Sequence, residues 1–151
     1  MKFEITPIGY VENERAFPLD DNWGEIISKI QLNDDVPAES LIGLEKFSHL
    51  EILYLFSQTV KNSFSWASHP RGNINYPLVG IFSQRKKERP NSIGLCTVEL
   101  ISVEEKILKV KNLDAINGTP IIDIKPVFKE FEPHKPIIQP DWVSDLMKEY
   151  W

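Results

Sequence analysis

The residues His49-Leu50-Glu51-Ile52-Leu53-Tyr54-Leu55-Phe56-Ser57 form the most apolar run of the chain. Apolar side chains occupy both alternating sets of positions, so an extended segment here would be apolar on both of its faces. This pattern predicts a central strand, covered on both sides by the rest of a sheet protein. A buried helix is the alternative, because pattern alone does not separate the two for a short apolar run.

Shorter runs with the alternation of β-strands surround this central segment. The predicted strands cover residues 2–11, 25–32, 78–84, 93–103, 106–113 and 120–125. Asn117-Gly118 predicts a tight turn before the last of them. Residues 37–42 predict a short helix that begins at Pro37 and ends at Gly43. Residues 59–76 predict a long irregular loop.

The end of the chain has a different pattern. Residues 128–139 contain prolines and predict an extended tail. Beyond it Val143, Leu146, Met147 and Tyr150 lie at helical spacing, which predicts a docked amphipathic helix with Asp141 as its N-cap. Many short strands, few helices and no βαβ rhythm indicate an all-β antiparallel protein, either a sandwich or a small barrel.

Composition and charge narrow the class of protein. A chain of 151 residues with 42% hydrophobic and 26% charged residues predicts one globular domain, residues 1–151. Without a long apolar run or an apolar signal segment, we expect no membrane association and a cytoplasmic location. A single cysteine, Cys96, excludes an intrachain disulfide framework. The net charge of −5 argues against broad, non-specific nucleic-acid binding, although a local basic patch is compatible with it.

A basic loop, residues 85–91, connects two of the predicted strands. It contains Arg85, Lys86, Lys87 and Arg89, followed by Pro90-Asn91. Exposed loops on a rigid scaffold often carry function, whereas most charge runs are only solvated turns, and both interpretations stay open for this loop.

Other common sites are not predicted. The histidines His49, His69 and His134 and the thiol of Cys96 lack the spacing of metal ligands, so we expect no metal. No glycine-rich phosphate loop and no Gly-x-Ser-x-Gly motif occurs, which argues against a Rossmann cofactor site and a serine nucleophile elbow.

Six segments occur in this order along the chain: Pro7-Ile8-Gly9, GLEKFSH at 43–49, VGIFSQR at 79–85, RPNSIG at 89–94, Leu113-Asp114 and GTPIIDIKP at 118–126. Together these segments resemble the TrmO (YaeB-like, TsaA-like) family of methyltransferases. The similarity covers residues 3–128 in order and approximate spacing, and leaves residues 129–151 as a C-terminal tail and helix.

The resemblance implies a barrel-like all-β fold with one or two short helices, S-adenosylmethionine as cofactor, and a homodimer. It also implies N6-methylation of threonylcarbamoyl-adenosine next to a tRNA anticodon. By position in the motifs, the implied cofactor-binding residues are Ser57, Gln58, Arg85, Leu95, Lys111, Asn112, Leu113 and Asp114. The catalytic residues are unknown, with Asn91, Asp123 and Lys125 as candidates, and Lys86, Lys87 and Arg89 are the candidates for RNA contact.

We expect three departures from the family pattern, one of which is that the extra C-terminal domain of the longer bacterial members has no counterpart in this sequence. Residues 17–24 (FPLDDNWG) replace a segment rich in Pro, Arg and Gln, and Asn117 replaces an Asp. With the acidic net charge, these departures leave two alternatives open. One is methylation of another base or of a small molecule, and the other is a non-catalytic S-adenosylmethionine-binding regulatory protein.

Overall fold

The computed structural model describes residues 1–60 and 63–151. Its centre is strand β3, His49–Leu55. β3 pairs antiparallel with a strand on each side, and Leu50, Ile52 and Tyr54 are buried on its inner face. The predicted central strand is therefore confirmed, and the helical alternative is excluded.

The other strands of the barrel are Gly9–Glu12 (β1), Ile27–Leu32 (β2), Ile93–Glu104 (β6), Ile107–Lys111 (β7) and Pro120–Pro126 (β8). Together with β3 they close into a barrel, in the order β1-β2-β7-β6-β3-β8. The prediction of an antiparallel all-β protein is confirmed, and the barrel is the correct one of the two architectures. Alternate residues of each strand fill the interior, where Val98, Leu108 and Ile121 are fully buried.

Two predicted strands differ most from the observed ones. Residues 2–8 lie outside β1, because Pro7 has no N–H for a ladder and its carbonyl accepts from the Asn33 side chain at 2.8 Å. The strand predicted at 78–84 is only Val79–Gly80 (β5), since a 3₁₀ turn at Ile81–Ser83 bends the chain. The backbone N–H of Gln84 closes that turn on the Ile81 carbonyl at 3.2 Å.

The predicted loop at 59–76 contains regular structure. Ala67–Ser68 (β4) pairs antiparallel with β5, and Pro70–Gly72 forms a 3₁₀ turn. Lys61 and Asn62 of the predicted loop lie outside the described residues. The short helix predicted at 37–42 is a 3₁₀ helix, Ala38–Leu41.

The C-terminal segment docks on the outside of the barrel. Helix α1 covers Asp141–Leu146, and its N-cap is Pro140 rather than Asp141, which makes no side-chain capping bond. Two backbone bonds hold the end of the chain: Asn22 N–H to the Glu149 carbonyl at 2.9 Å, and Trp23 N–H to the Tyr150 carbonyl at 2.8 Å. The segment is therefore docked, but the helix is shorter than predicted, because it ends at Leu146 and leaves Met147 and Tyr150 beyond it. No helix among the described residues is long and apolar enough to cross a membrane.

Candidate functional site

A cleft with a volume of about 270 Å³ opens where the end of β3, the start of β6 and the basic loop meet. Its walls combine aromatic, aliphatic, cationic and anionic groups. The lining residues are Tyr54, Phe56, Phe82, Gln84, Arg85, Arg89, Ile93, Gly94, Leu95 and Asp114.

The floor of the cleft depends on the pair Tyr54 and Gly94, which face each other on β3 and β6. A Cβ atom on Gly94 would lie closer than 3.0 Å to carbon atoms of the Tyr54 ring. Glycine is needed here because the ring packs directly on its backbone. This packing places the Tyr54 hydroxyl beside Asp114, and the hydroxyl donates to Asp114 Oδ1 at 2.6 Å.

Asp114 has a second tyrosine partner from the opposite end of the chain. The Tyr150 hydroxyl donates to Asp114 Oδ2 at 2.5 Å. Burial raises the pKa of both hydroxyls well above the usual range, and the negative charge of Asp114 raises it further. Both hydroxyls therefore stay protonated and donate, so that they fix the orientation of the Asp114 carboxylate.

Two arginines shape the cationic wall. Arg85 Nη2 donates to the Leu95 carbonyl at 2.5 Å, and Arg89 Nη1 donates to the Gln84 carbonyl at 3.0 Å. Gln84 itself is buried, and its Nε2 lies 3.2 Å from Ser68 Oγ and 3.3 Å from the Val79 carbonyl. These bonds tie the basic loop to β5 and β6, so the arginines are held beside the cleft.

The far end of the basic loop is a tight turn. Asn91 and Ser92 have φ values of 64° and 50°, in the left-handed region that asparagine tolerates better than most residues. The Ser92 carbonyl accepts from Phe56 N–H at 2.8 Å, and Ser92 Oγ lies 3.0 Å from Thr59 Oγ1. The turn is thereby tied to the end of β3. Asn91 itself is exposed.

The segment after β7 carries the next set of implied cofactor residues. Lys111 Nζ lies 3.8 Å from Glu25 Oε1, and Leu113 is buried in the core. Asn112 has a φ of 65°, and its carbonyl accepts from the buried thiol of Cys96 at 3.0 Å. Its side-chain Oδ1 is buried and has no hydrogen-bond partner among the residues that the structure describes. A buried acceptor of this kind needs a donor, which a ligand can supply.

The structure thus brings only some of the implied residues together. Arg85, Leu95 and Asp114 share the cleft with Arg89. Ser57 and Gln58 are exposed at the end of β3, and they are outside the cleft lining given by the described residues, as are Lys111, Asn112 and Leu113.

The remaining candidates lie elsewhere or at the edge. Lys125 Nζ forms an ion pair with Asp123 Oδ2 at 2.5 Å on β8, and Lys125 lines a separate cleft with Glu51. Lys87 Nζ lies 3.7 Å from Glu88 Oε1, and Lys86 beside it is partly buried.

Sequence reasoning missed the lining residues Phe56, Gln84, Ile93 and Gly94, and also three aromatic residues of the cleft region. Tyr54 fitted the pattern of a core residue, Tyr150 that of an apolar helix face, and Phe82 that of a strand interior. The signal that connects the two tyrosines is a contact to Asp114 across 60 and 36 residues, which no local spacing reveals.

Comparisons with known proteins agree with the sequence resemblance. The family model described as the tRNA-methyltransferase O N-terminal domain matches residues 10–133. A Methanothermobacter thermautotrophicus protein, described as a probable S-adenosyl-L-methionine-binding protein, is 35% identical over 136 residues, which cover 87% of this chain and 95% of that protein.

Two further relatives are larger than the region they share with this chain. The human tRNA (adenine(37)-N6)-methyltransferase is 38% identical over 104 residues, which cover 69% of this chain and 23% of the human protein. The crystal structure of TrmO from Pseudomonas aeruginosa matches with a TM-score of 0.70 at 28% identity, over 86% of this chain and 58% of that chain. The chain therefore spans about a quarter of the human relative and less than two thirds of the Pseudomonas chain.

Proposed function

Because the chain belongs to the family of tRNA-methyltransferase O N-terminal domains, we propose that it is an S-adenosylmethionine-dependent tRNA methyltransferase. The acceptor is N6 of the adenine next to the anticodon, in its threonylcarbamoyl form. The observation that carries the proposal is the family match over residues 10–133, whose implied residues Arg85, Leu95 and Asp114 line one cleft. The human relative is described as a tRNA (adenine(37)-N6)-methyltransferase, which supports N6 of a tRNA adenine as the acceptor.

The groups in the cleft suit the proposed cofactor chemically. The Arg85 guanidinium can bind a carboxylate, and the Asp114 carboxylate can accept from ribose hydroxyls or an ammonium group. The rings of Phe56 and Phe82 supply apolar walls. The buried Asn112 Oδ1, two residues before Asp114, offers an acceptor for an N–H donor.

The proposed reaction requires placement more than acid–base chemistry. When bound, S-adenosylmethionine supplies a methyl group activated by its sulfonium. Transfer forms one carbon–nitrogen bond at the acceptor, breaks one carbon–sulfur bond whose electron pair stays on sulfur, and releases one proton from the acceptor nitrogen to water. The chain's own residues then have to hold both reactants in line and exclude competing water. The residues that catalyse the transfer remain a proposal, with Asn91, Asp123 and Lys125 as candidates.

Calorimetry with S-adenosylmethionine tests the cofactor site. We expect Arg85→Ala to weaken binding by about 10- to 150-fold, because a hydrogen bond to a charged group contributes about 1.5–3 kcal/mol. Lys86→Ala is the matched control, since it removes a neighbouring cation outside the described cleft lining. Arg85→Lys separates loss of charge from loss of the bond to the Leu95 carbonyl. No binding to the wild-type protein would refute the proposal.

Transfer of a labelled methyl group to tRNA tests the acceptor. The label should appear on the threonylcarbamoyl-adenosine beside the anticodon, and tRNA without that modification serves as the control. Label on another base or on a small molecule would establish the first alternative instead.

A second candidate function is S-adenosylmethionine binding without catalysis. The relative of which this chain covers 95% is described as a probable S-adenosyl-L-methionine-binding protein, with no transfer activity in its description. Cofactor binding by calorimetry without methylation of any tRNA or small molecule would favour this function over the first.

We also propose a cytoplasmic homodimer of one domain, residues 1–151, with a core at about residues 3–128. Large exposed apolar side chains beyond the barrel support an interface, among them Phe131, Ile137 and Ile138. Light scattering at micromolar concentration should give twice the chain mass of 17.4 kDa. A mass equal to one chain would contradict the dimer and leave the cofactor proposal standing.

A further inference from the structure

An exposed group of aromatic rings lies at the edge of the cleft. The rings of Phe64 and Trp66 meet edge to face with centroids 5.1 Å apart, and the rings of Trp66 and Phe82 lie 6.5 Å apart. Trp66 is 68% exposed and Phe82 is 77% exposed. Large aromatic side chains with this much exposure lose the benefit of burial, so the group suggests a binding surface rather than a core.

The local backbone holds these rings in place. Trp66 precedes β4, and its carbonyl accepts from Ile81 N–H at 2.9 Å. Ile81 is buried, so that the 3₁₀ turn at Ile81–Ser83 leaves Phe82 pointing outward. Bonds from Gln84 to Ser68 and Val79 fasten the same two strands. The rings therefore stand on a hydrogen-bonded scaffold and not on a free loop.

The aromatic surface is continuous with the cofactor cleft and with positive charge. Phe82 lines the cleft beside Arg85 and Arg89, whereas Trp66 extends the surface beyond it. Lys86 and Lys87 follow in the basic loop. Aromatic rings beside cations form a surface that matches an unpaired nucleotide, in which a base stacks and its phosphate pairs with an arginine. The local cations allow this despite the net charge of −5.

Methylation of an exocyclic amine sets a geometric requirement that this surface meets. The acceptor base has to leave its stack in the RNA loop and present its edge at the cofactor cleft, and stacking on protein aromatics compensates for the lost base stacking. We propose that Trp66 and Phe82 form the stacking surface for the acceptor purine or its unpaired neighbour in the tRNA loop. The inference rests on the proposed function and adds the residues that bind the RNA base.

Binding of an RNA hairpin tests the inference without measuring turnover. The probe is an anticodon stem-loop with an unpaired adenine next to the anticodon, titrated into wild type and Trp66→Ala. Stacking on one aromatic ring changes the affinity for a base by about 5- to 150-fold, so Trp66→Ala should weaken RNA binding by that factor. Its affinity for S-adenosylmethionine should stay at the wild-type value, because Trp66 is outside the described cleft lining.

Conservative and distant variants sharpen the experiment. Trp66→Phe should keep most of the RNA affinity, but it should lose the quenching of tryptophan fluorescence that RNA causes in the wild type. The control is Phe3→Ala, which removes an aromatic ring of similar exposure, 82%, outside the described cleft lining and outside the proposed dimer interface. It should leave RNA binding unchanged.

The outcomes separate this inference from the proposed function. If wild type binds neither the cofactor nor the hairpin, the proposed function fails. If wild type binds both and Trp66→Ala binds RNA equally well, the stacking surface is refuted while the methyltransferase proposal stands. If Trp66→Ala instead halves the mass in light scattering and leaves RNA affinity unchanged, the rings belong to a contact between copies of the chain, and the inference is overturned.

Discussion

Tyr54 and Tyr150 donate to the same carboxylate, Asp114, but very different parts of the molecule hold them. Tyr54 is 1% exposed and lies on β3, which has a paired strand on each side. Tyr150 is only partly buried, and the backbone bond from Trp23 to its carbonyl is among the few that attach its segment. One tyrosine partner of Asp114 therefore belongs to the barrel core. The other belongs to a docked segment beyond residue 133, where the family match ends.

This difference predicts unequal costs when the two side chains are truncated. Tyr54→Ala should lower the free energy of unfolding by about 3–5 kcal/mol, because it opens a cavity inside the barrel. Tyr150→Ala should cost less than about 2 kcal/mol, since neighbouring water can replace much of its contact. Urea denaturation of both variants measures the two values, and equal losses would contradict the distinction between core and docked segment.

A substitution at Gly94 measures how tightly the Tyr54 ring is packed in the barrel core. Gly94→Ala should destabilise the fold by about 1–3 kcal/mol, because the added methyl group overlaps the Tyr54 ring. Gly80→Ala is the matched control, since among the described residues other than its chain neighbours its methyl group would approach only the Trp66 carbonyl, at 3.8 Å. Combination with Tyr54→Leu should recover part of the loss. If the losses in unfolding free energy of the two substitutions simply add, the Tyr54 ring and Gly94 do not interact.

The barrel side of this comparison was largely readable from the sequence. An apolar run predicted β3, because a short segment that is apolar on both faces is typical of a strand covered by neighbours. Errors arose where local chemistry overrode the pattern. Pro7 has no N–H with which to join a strand ladder. The 3₁₀ turn after β5 forms its own backbone hydrogen bonds, and the alternation of side chains gives no sign of them.

The site could be predicted less completely, because it depends on contacts between distant parts of the chain. Motif positions led to Arg85, Leu95 and Asp114, which the fold brings into one cleft, although ligand binding by them remains a proposal. Contacts between segments that are distant in the sequence produce no local sequence pattern. The bond from Tyr150 to Asp114 spans 36 residues, and the helical spacing of Tyr150 predicted only that it would face the barrel.

The smallest effect expected is that of Tyr150→Phe, which removes one hydroxyl and keeps the ring. At neutral pH it should cost about 0.5–1.5 kcal/mol, the usual net value of one hydrogen bond. The pKa of this hydroxyl is raised in the folded protein above its ordinary value of 10.0, mainly by burial and then by the charge of Asp114. As pH rises above 10.0, the unfolded chain therefore loses its proton first.

That order of proton loss fixes the sign of the pH dependence. The stabilisation by the Tyr150 hydroxyl is complete below the unfolded pKa and declines above it, by at most about 1.4 kcal/mol per pH unit. The stability difference between wild type and Tyr150→Phe should accordingly narrow when urea denaturation is repeated at increasing pH above about 10. The other titrating groups are common to the two proteins, so every contribution that does not depend on the Tyr150 hydroxyl cancels in the difference. A difference that stays constant with pH would show that the Tyr150 hydroxyl is not held in its neutral form beside Asp114.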